Sequence, residues 1–224
     1  MNIFDIMGPV MIGPSSSHTA GAARIGLITR HLLGCRPAAV ELVLHGSFAA
    51  TGKGHGTDRA LVAGLLGMRP DDIRIPRAFA LAREAGMEVK VSTAVLRGAH
   101  PNTVLLRVRD SAGRQMEVDA SSLGGGRVRV NAIDGLEATF TGDYPTLIIR
   151  NEDRPGAVAS VADLLSRRKV NIATMQLYRD RRGGLAVMVI ESDQPIWREA
   201  IEELRASDGI VQVTYLDMME GDED

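Results

Sequence analysis

The stretch Thr146-Leu147-Ile148-Ile149-Arg150-Asn151-Glu152-Asp153-Arg154-Pro155-Gly156 passes from an apolar run into a polar turn. Leu147, Ile148 and Ile149 read as a buried strand. Pro155 stands where a first helical turn begins, with acidic Glu152 and Asp153 just ahead of it. Beyond it, Val158, Val161, Ala162 and Leu165 recur at i, i+3, i+4 and i+7, the spacing of one helix face. Val170 to Tyr178 reads as a second strand, Arg181-Arg182-Gly183-Gly184 as a hairpin turn and Leu185 to Glu191 as a third strand. Pro195 opens a second helix that places Ile196, Trp197, Ala200, Ile201 and Leu204 on one face. Gly209 ends it, and Ile210 to Tyr215 is a last strand. The order βαββαβ is the ferredoxin-like split unit.

Working outward, Thr141-Gly142-Asp143-Tyr144 is a short polar stretch between two apolar patterns and reads as a linker. It predicts two domains, residues 1–142 and 143–224. The first is of mixed type. Helices are expected over Thr19 to Leu33, over Asp58 to Leu66 with Thr57 or Asp58 as cap, and over Arg77 to Ala85 with Gly86 as terminator. Strands are expected at Val40 to Leu44, Val89 to Val95, Val104 to Arg109, Gln115 to Ala120, Arg127 to Ile133 and Ala138 to Phe140. The fold class is α+β; the pattern does not dictate the topology of the first domain.

Composition narrows the function. The chain has 224 residues, 45% of them hydrophobic, enough for a real core, and a formal net charge of -2. That balance argues against a nucleic-acid or membrane-surface binder, which would show a basic excess. Aromatics at 4% disfavour base-stacking surfaces. The single cysteine, Cys35, excludes an intrachain disulfide and cannot by itself hold a zinc or iron–sulfur site. Met1 to Asp5 lacks a signal-peptide pattern, and no apolar run reaches the ~20 residues of a membrane helix. A cytoplasmic protein is the expectation, with Glu220 to Asp224 as a solvated acidic tail.

Four segments carry chemistry-bearing side chains. Gly13-Pro14-Ser15-Ser16-Ser17-His18-Thr19 runs into the first helix, where amide N–H groups and the helix dipole favour an anion; one serine acting as a plain cap is the alternative. His45-Gly46-Ser47-Phe48-Ala49-Ala50-Thr51-Gly52-Lys53-Gly54-His55-Gly56-Thr57-Asp58 reads as a Gly-rich loop with two histidines and a lysine. Its glycine spacing is not that of a P-loop. His100-Pro101-Asn102-Thr103 lies between strands and offers an imidazole and an amide, or is an ordinary turn. Ser121-Ser122-Leu123-Gly124-Gly125-Gly126 reads as a second Gly-rich turn able to offer N–H groups to an oxyanion. His31 reads as an ordinary surface or satisfied histidine. The absence of a Gly-x-Ser-x-Gly elbow leaves a serine hydrolase as the weakest reading.

The ordered set of Gly13 to Thr19, His45-Gly46-Ser47, Thr51 to Asp58 and His100 to Thr103 resembles the β chain of bacterial iron–sulfur-dependent L-serine dehydratase. The βαββαβ unit with Asn151 to Gly156 resembles an ACT domain. The resemblance covers nearly the whole chain. It implies conversion of L-serine to pyruvate and ammonia, with a [4Fe–4S] cluster as Lewis acid on the substrate hydroxyl, ligated by cysteines of a partner α chain and by none of this chain's residues. It implies that Ser15, Ser16, Ser17, His18 and Thr19 bind the substrate carboxylate or shape its site, with Lys53 and Asn102 as further substrate contacts. His18, His45, His55 and His100 are the acid/base or orienting candidates, because imidazole titrates near neutral pH. Asn151, Gly156 and Asn171 are implied effector contacts at a dimer interface, and a homodimer or an α/β hetero-oligomer the assembly. A non-catalytic serine sensor, as built into some phosphoglycerate dehydrogenases, is the competing expectation.

Overall fold

A computed structural model describes residues 10–218, apart from the side chain of Lys53. The leader reading at Met1 to Asp5, the acidic tail from Glu220 and the Lys53 side chain lie outside what is described. The chain divides into two compact units, Met1–Asp134 and Gly135–Asp224.

In the first unit a single π-helical turn, Ser16–Ala20, leads into α1 (Gly21–Leu33). There follow β1 (Ala39–Leu44), α2 (Gly46–His55), α3 (Thr57–Leu65), a short 3-10 turn at Ile75–Arg77, α4 (Ala78–Glu84), β2 (Glu88–Thr93), β3 (Thr103–Arg109), β4 (Gln115–Gly124) and β5 (Arg127–Ile133). The strand order in this unit is β2-β1-β3-β4-β5, with β1 and β2 parallel and the others antiparallel. Val40, Leu42 and Leu44 of β1 lie opposite Val108, Leu106 and Val104 of β3, and all six are buried. Side chains alternate across a strand, so Glu41, Arg107, Lys90 and Glu117 fall on the other face and pair there. The α1 helix is buried almost all round because it packs on both α3 and the sheet. Gly26 and Gly64 make that crossing possible: a Cβ on Gly64 would run into the backbone carbonyl of Ala23, and one on Gly26 into that of Leu61.

Four expectations for this unit are corrected. The segment from His45 to Asp58 is not a loop. Phe48 is fully buried, the N–H of Ser47 donates to Pro101 O at 2.7 Å, and these tertiary ties hold a glycine-bearing helix that propensity alone disfavours. Gly56, at φ 69°, ends α2 and turns the chain directly into α3, so neither Thr57 nor Asp58 caps that helix through its side chain. Ser121 to Gly124 are not a turn but the end of β4, with Ser121 and Ser122 buried; the turn is Gly125-Gly126. The regular α-helix begins at Gly21 rather than at Thr19.

The second unit contains β6 (Leu136–Phe140), β7 (Thr146–Glu152), α5 (Ala157–Arg167), β8 (Ile172–Arg179), β9 (Leu185–Ser192), α6 (Arg198–Arg205) and β10 (Ile210–Leu216). The antiparallel order β10-β7-β9-β8 with two helices is the expected βαββαβ unit. Leu147, Ile149, Met188, Ile190 and Val213 of the sheet pack with Val161, Leu164, Leu165, Ala200, Ile201 and Leu204 of the helices. Two expected core positions are corrected. Gly156, at φ 91°, starts α5 so that Val161, Leu164 and Leu165 face the sheet, and Val158 is 39% exposed. Trp197 has extended backbone as the N-cap of α6 and is 72% exposed. Pro155 sits in the turn ahead of α5 rather than in its first turn.

Candidate active site

The Ser-Ser-Ser-His-Thr segment forms the π-helical turn at the head of α1. Ser15 caps it: its Oγ accepts the N–H of His18 at 3.2 Å and its carbonyl accepts the N–H of Thr19 at 2.8 Å. The wide turn is locked by its surroundings. A Cβ on Gly21 would collide with the Ser122 hydroxyl of β4, so only glycine lets the helix approach that strand. Among the described residues, the N–H groups of Ser16 and Ser17 have no partner.

His18 is the hub. Its Nδ1 is 3.3 Å from Ser15 Oγ and its Nε2 is 3.0 Å from Ser47 Oγ of α2. Its ring meets those of Phe48 and His55 edge to face, with centroids 5.4 and 5.0 Å away. Thr19 Oγ1 donates to the backbone carbonyl of His55 at 3.3 Å. Burial holds the His18 imidazole below its ordinary pKa, and repulsion from His55 adds to this; a backbone hydrogen bond at Ser47 acts the other way. The net direction favours the neutral imidazole. Among the described residues, His55 Nδ1 is buried without a partner.

His45 follows β1 as the N-cap of α2. The N–H of Leu96 lies 3.1 Å from its Nδ1, and the Ala94 carbonyl lies 3.3 Å from the same atom. The His100 loop abuts the start of α2: Pro101 O accepts the N–H of Ser47, and the N–H of His45 donates to Thr103 O at 3.0 Å. His100 Nδ1 accepts the N–H of Asn102 at 3.2 Å. The Asn102 amide turns to Ser122 O at 3.5 Å, while Ser122 N donates to Asn102 O at 2.9 Å. The structure thus links Ser15 to Thr19, His45, His55, His100 and Asn102 through one set of hydrogen bonds and ring contacts in the first unit.

Ser47, Phe48 and the Leu96 amide carried no role of their own in the sequence reading. Ser47 and Phe48 lay inside a motif, where an apolar residue beside His-Gly-Ser was the available sign of a helix. Ser122 lay in the segment read as an oxyanion-binding turn, and Leu96 left no local signal.

The proposed effector residues are not gathered in the second unit. Asn151 is buried at the end of β7; its Nδ2 donates to Glu152 O at 2.7 Å, and its Oδ1 has no partner among the described residues. Gly156 starts α5. Asn171 follows that 11-residue helix, ~16 Å further along at 1.5 Å per residue, where its amide donates to Asp193.

Among the described residues, no group of three or more His, Cys, Asp and Glu side chains could hold a metal ion. Cys35 is an isolated exposed thiol beyond the end of α1. This donor set does not fit a [4Fe–4S] cluster. No helix among the described residues is long and apolar enough to cross a membrane.

Comparisons with known proteins follow this division. The serine dehydratase beta chain family matches residues 2–97 and the ACT domain family matches residues 145–209. The chain is 40% identical over 215 residues to the probable L-serine dehydratase, beta chain, of Bacillus subtilis, covering 96% of this chain and 97% of that protein. It is 39% identical over 194 residues to the L-serine dehydratase, beta chain, of Peptoniphilus asaccharolyticus, covering 86% and 87%. It is also 30% identical over 200 residues to D-3-phosphoglycerate dehydrogenase of Archaeoglobus fulgidus, covering 88% of this chain and 37% of that protein.

Proposed function

This chain belongs to the serine dehydratase β-chain family, and we propose that it is the β subunit of an L-serine ammonia-lyase, which converts L-serine to pyruvate and ammonia together with an α chain. The observation that carries the reading is the His18 hub. It ties a helix-start turn suited to an anion to hydroxyls and two imidazoles. A carboxylate would sit on the free N–H groups of Ser16 and Ser17, with Ser15 and Thr19 shaping the turn and Lys53 and Asn102 as further contacts. His18, His45, His55 and His100 are the groups that would orient substrate or move a proton. The [4Fe–4S] cluster of such an enzyme would belong to the cysteines of the α chain.

We assign residues 1–142 to substrate handling and 143–224 to regulation and subunit pairing, in a homodimer or an α/β hetero-oligomer acting in the cytoplasm. In the regulatory unit Asn151, Gly156 and Asn171 are the effector candidates; their separation means that one small amino acid within a single unit would touch either the Asn151 and Gly156 end or the Asn171 end. A non-catalytic sensor is not favoured, because a sensor has less need of titrating groups gathered around one turn. Anoxic co-expression with a cysteine-rich α chain should give a complex that forms pyruvate from L-serine. A stable cluster-bearing complex that forms none would refute the reading.

A further inference from the structure

We propose that Ser47 donates a hydrogen bond to the carboxylate of the amino-acid substrate, its hydroxyl proton aimed by a relay that runs Ser15 to His18 to Ser47. This deepens the reading given above and rests on it. In the proposed direction each group donates to the next. Ser15 Oγ accepts the N–H of His18 and gives its hydroxyl hydrogen to His18 Nδ1, 3.3 Å away. A neutral imidazole has one donor and one acceptor nitrogen. With Nδ1 accepting, the ring proton is on Nε2 and points at Ser47 Oγ, 3.0 Å away. Ser47 Oγ then accepts from His18, so its own hydrogen must turn elsewhere, and among the described residues it has no other partner.

Three further observations fit such a relay. The ring is held in plane by edge-to-face contacts with Phe48 and His55, at 63° and 64°. Burial and the His55 neighbour favour a neutral His18, as a relay through an acceptor nitrogen requires. The N–H of Ser47 is taken by Pro101 O, so at the head of α2 the hydroxyl rather than the amide is the donor left for an anion. The α1 turn supplies the other donors from the same segment that carries His18.

The relay is read first in the full-length chain, labelled with 15N and assigned with His18→Gln, by long-range proton–nitrogen correlation of the imidazoles. The expected result is His18 as the Nε2–H tautomer, with that preference lost in Ser15→Ala. An Nδ1–H tautomer in the unsubstituted chain would overturn the relay. The second arm uses the α/β complex and L-serine. Losing a hydrogen bond to a charged group predicts a KM raised about tenfold or more in Ser47→Ala, a smaller change in kcat, and recovery to within about threefold in Ser47→Thr. An unchanged KM in Ser47→Ala, with native circular dichroism, would overturn the substrate contact. A wild-type complex without serine turnover is the failure of the parent reading, and the imidazole arm stands apart from it.

Discussion

The second unit packs Leu147, Ile149, Met188 and Ile190 against Val161, Leu165 and Leu204, whereas the first buries Thr19, Thr57, Thr103, Ser121 and Ser122 within the same elements that make its core. The second unit also buries polar side chains, but most are answered locally: Thr146 donates to Tyr144 O, Ser192 to Gln194 O, and Thr174 donates to Glu191. In the first unit Thr103 and Ser121 share a bond at 2.8 Å, yet Ser122 Oγ, Thr57 Oγ1 and His55 Nδ1 are buried without partners among the described residues. An unanswered buried polar group costs ~1–3 kcal/mol. The first unit tolerates that cost at the head of α1, beside the Ser-Ser-Ser-His-Thr turn. Strain and unmet polar groups gather where a ligand is handled, and the difference between the units therefore separates a site from a scaffold.

That contrast can be broken or sharpened by substitution. The largest effect on stability is expected from the apolar unit: Leu165→Ala, at a fully buried position, should lower unfolding free energy by ~2–5 kcal/mol in a urea titration. Next is Gly64→Ala, which forces a methyl into the Ala23 carbonyl at the α1–α3 crossing and should cost ~1–3 kcal/mol by the same titration. Ser15→Ala removes the cap of the π-helical turn and should cost ~1 kcal/mol, a small change in thermal midpoint. A loss as large as that of Leu165→Ala would make the turn a structural keystone and weaken the contrast. The smallest effect is that of pH. The pKa of His18 is depressed in the fold, so the unfolded chain takes up a proton first as pH falls below about 6.5, and the folded state loses stability from there down to the folded pKa. Between pH 7.5 and 5.5 the unfolding midpoint should fall less in His18→Gln than in the unsubstituted chain.

The second unit was legible because its chain is amphipathic with simple periods. Leu147 to Ile149 and the Val161–Leu165 spacing announce a strand and a helix, and only boundary positions such as Val158 and Trp197 misled, since a left-handed Gly156 and an extended N-cap set the phase of each helix. In the first unit the motif residues stood out by type, but their arrangement did not. Gly52 and Gly54 argue against a helix, and α2 exists because Phe48 fills the core and Pro101, 53 positions after Phe48, receives its first amides. Ser122 reaches α1 through the pairing of β3 with β4, a long-range contact that no local pattern encodes.

The central claim is that the polar cluster of the first unit is half of an active site, and it is tested most directly by pyruvate formation from L-serine in the α/β complex carrying His18→Ala. The account predicts that kcat/KM falls at least ~100-fold while the variant still binds the α chain and melts close to the unsubstituted protein, the size expected for removing a group that acts in the reaction. Activity retained within about threefold would contradict it.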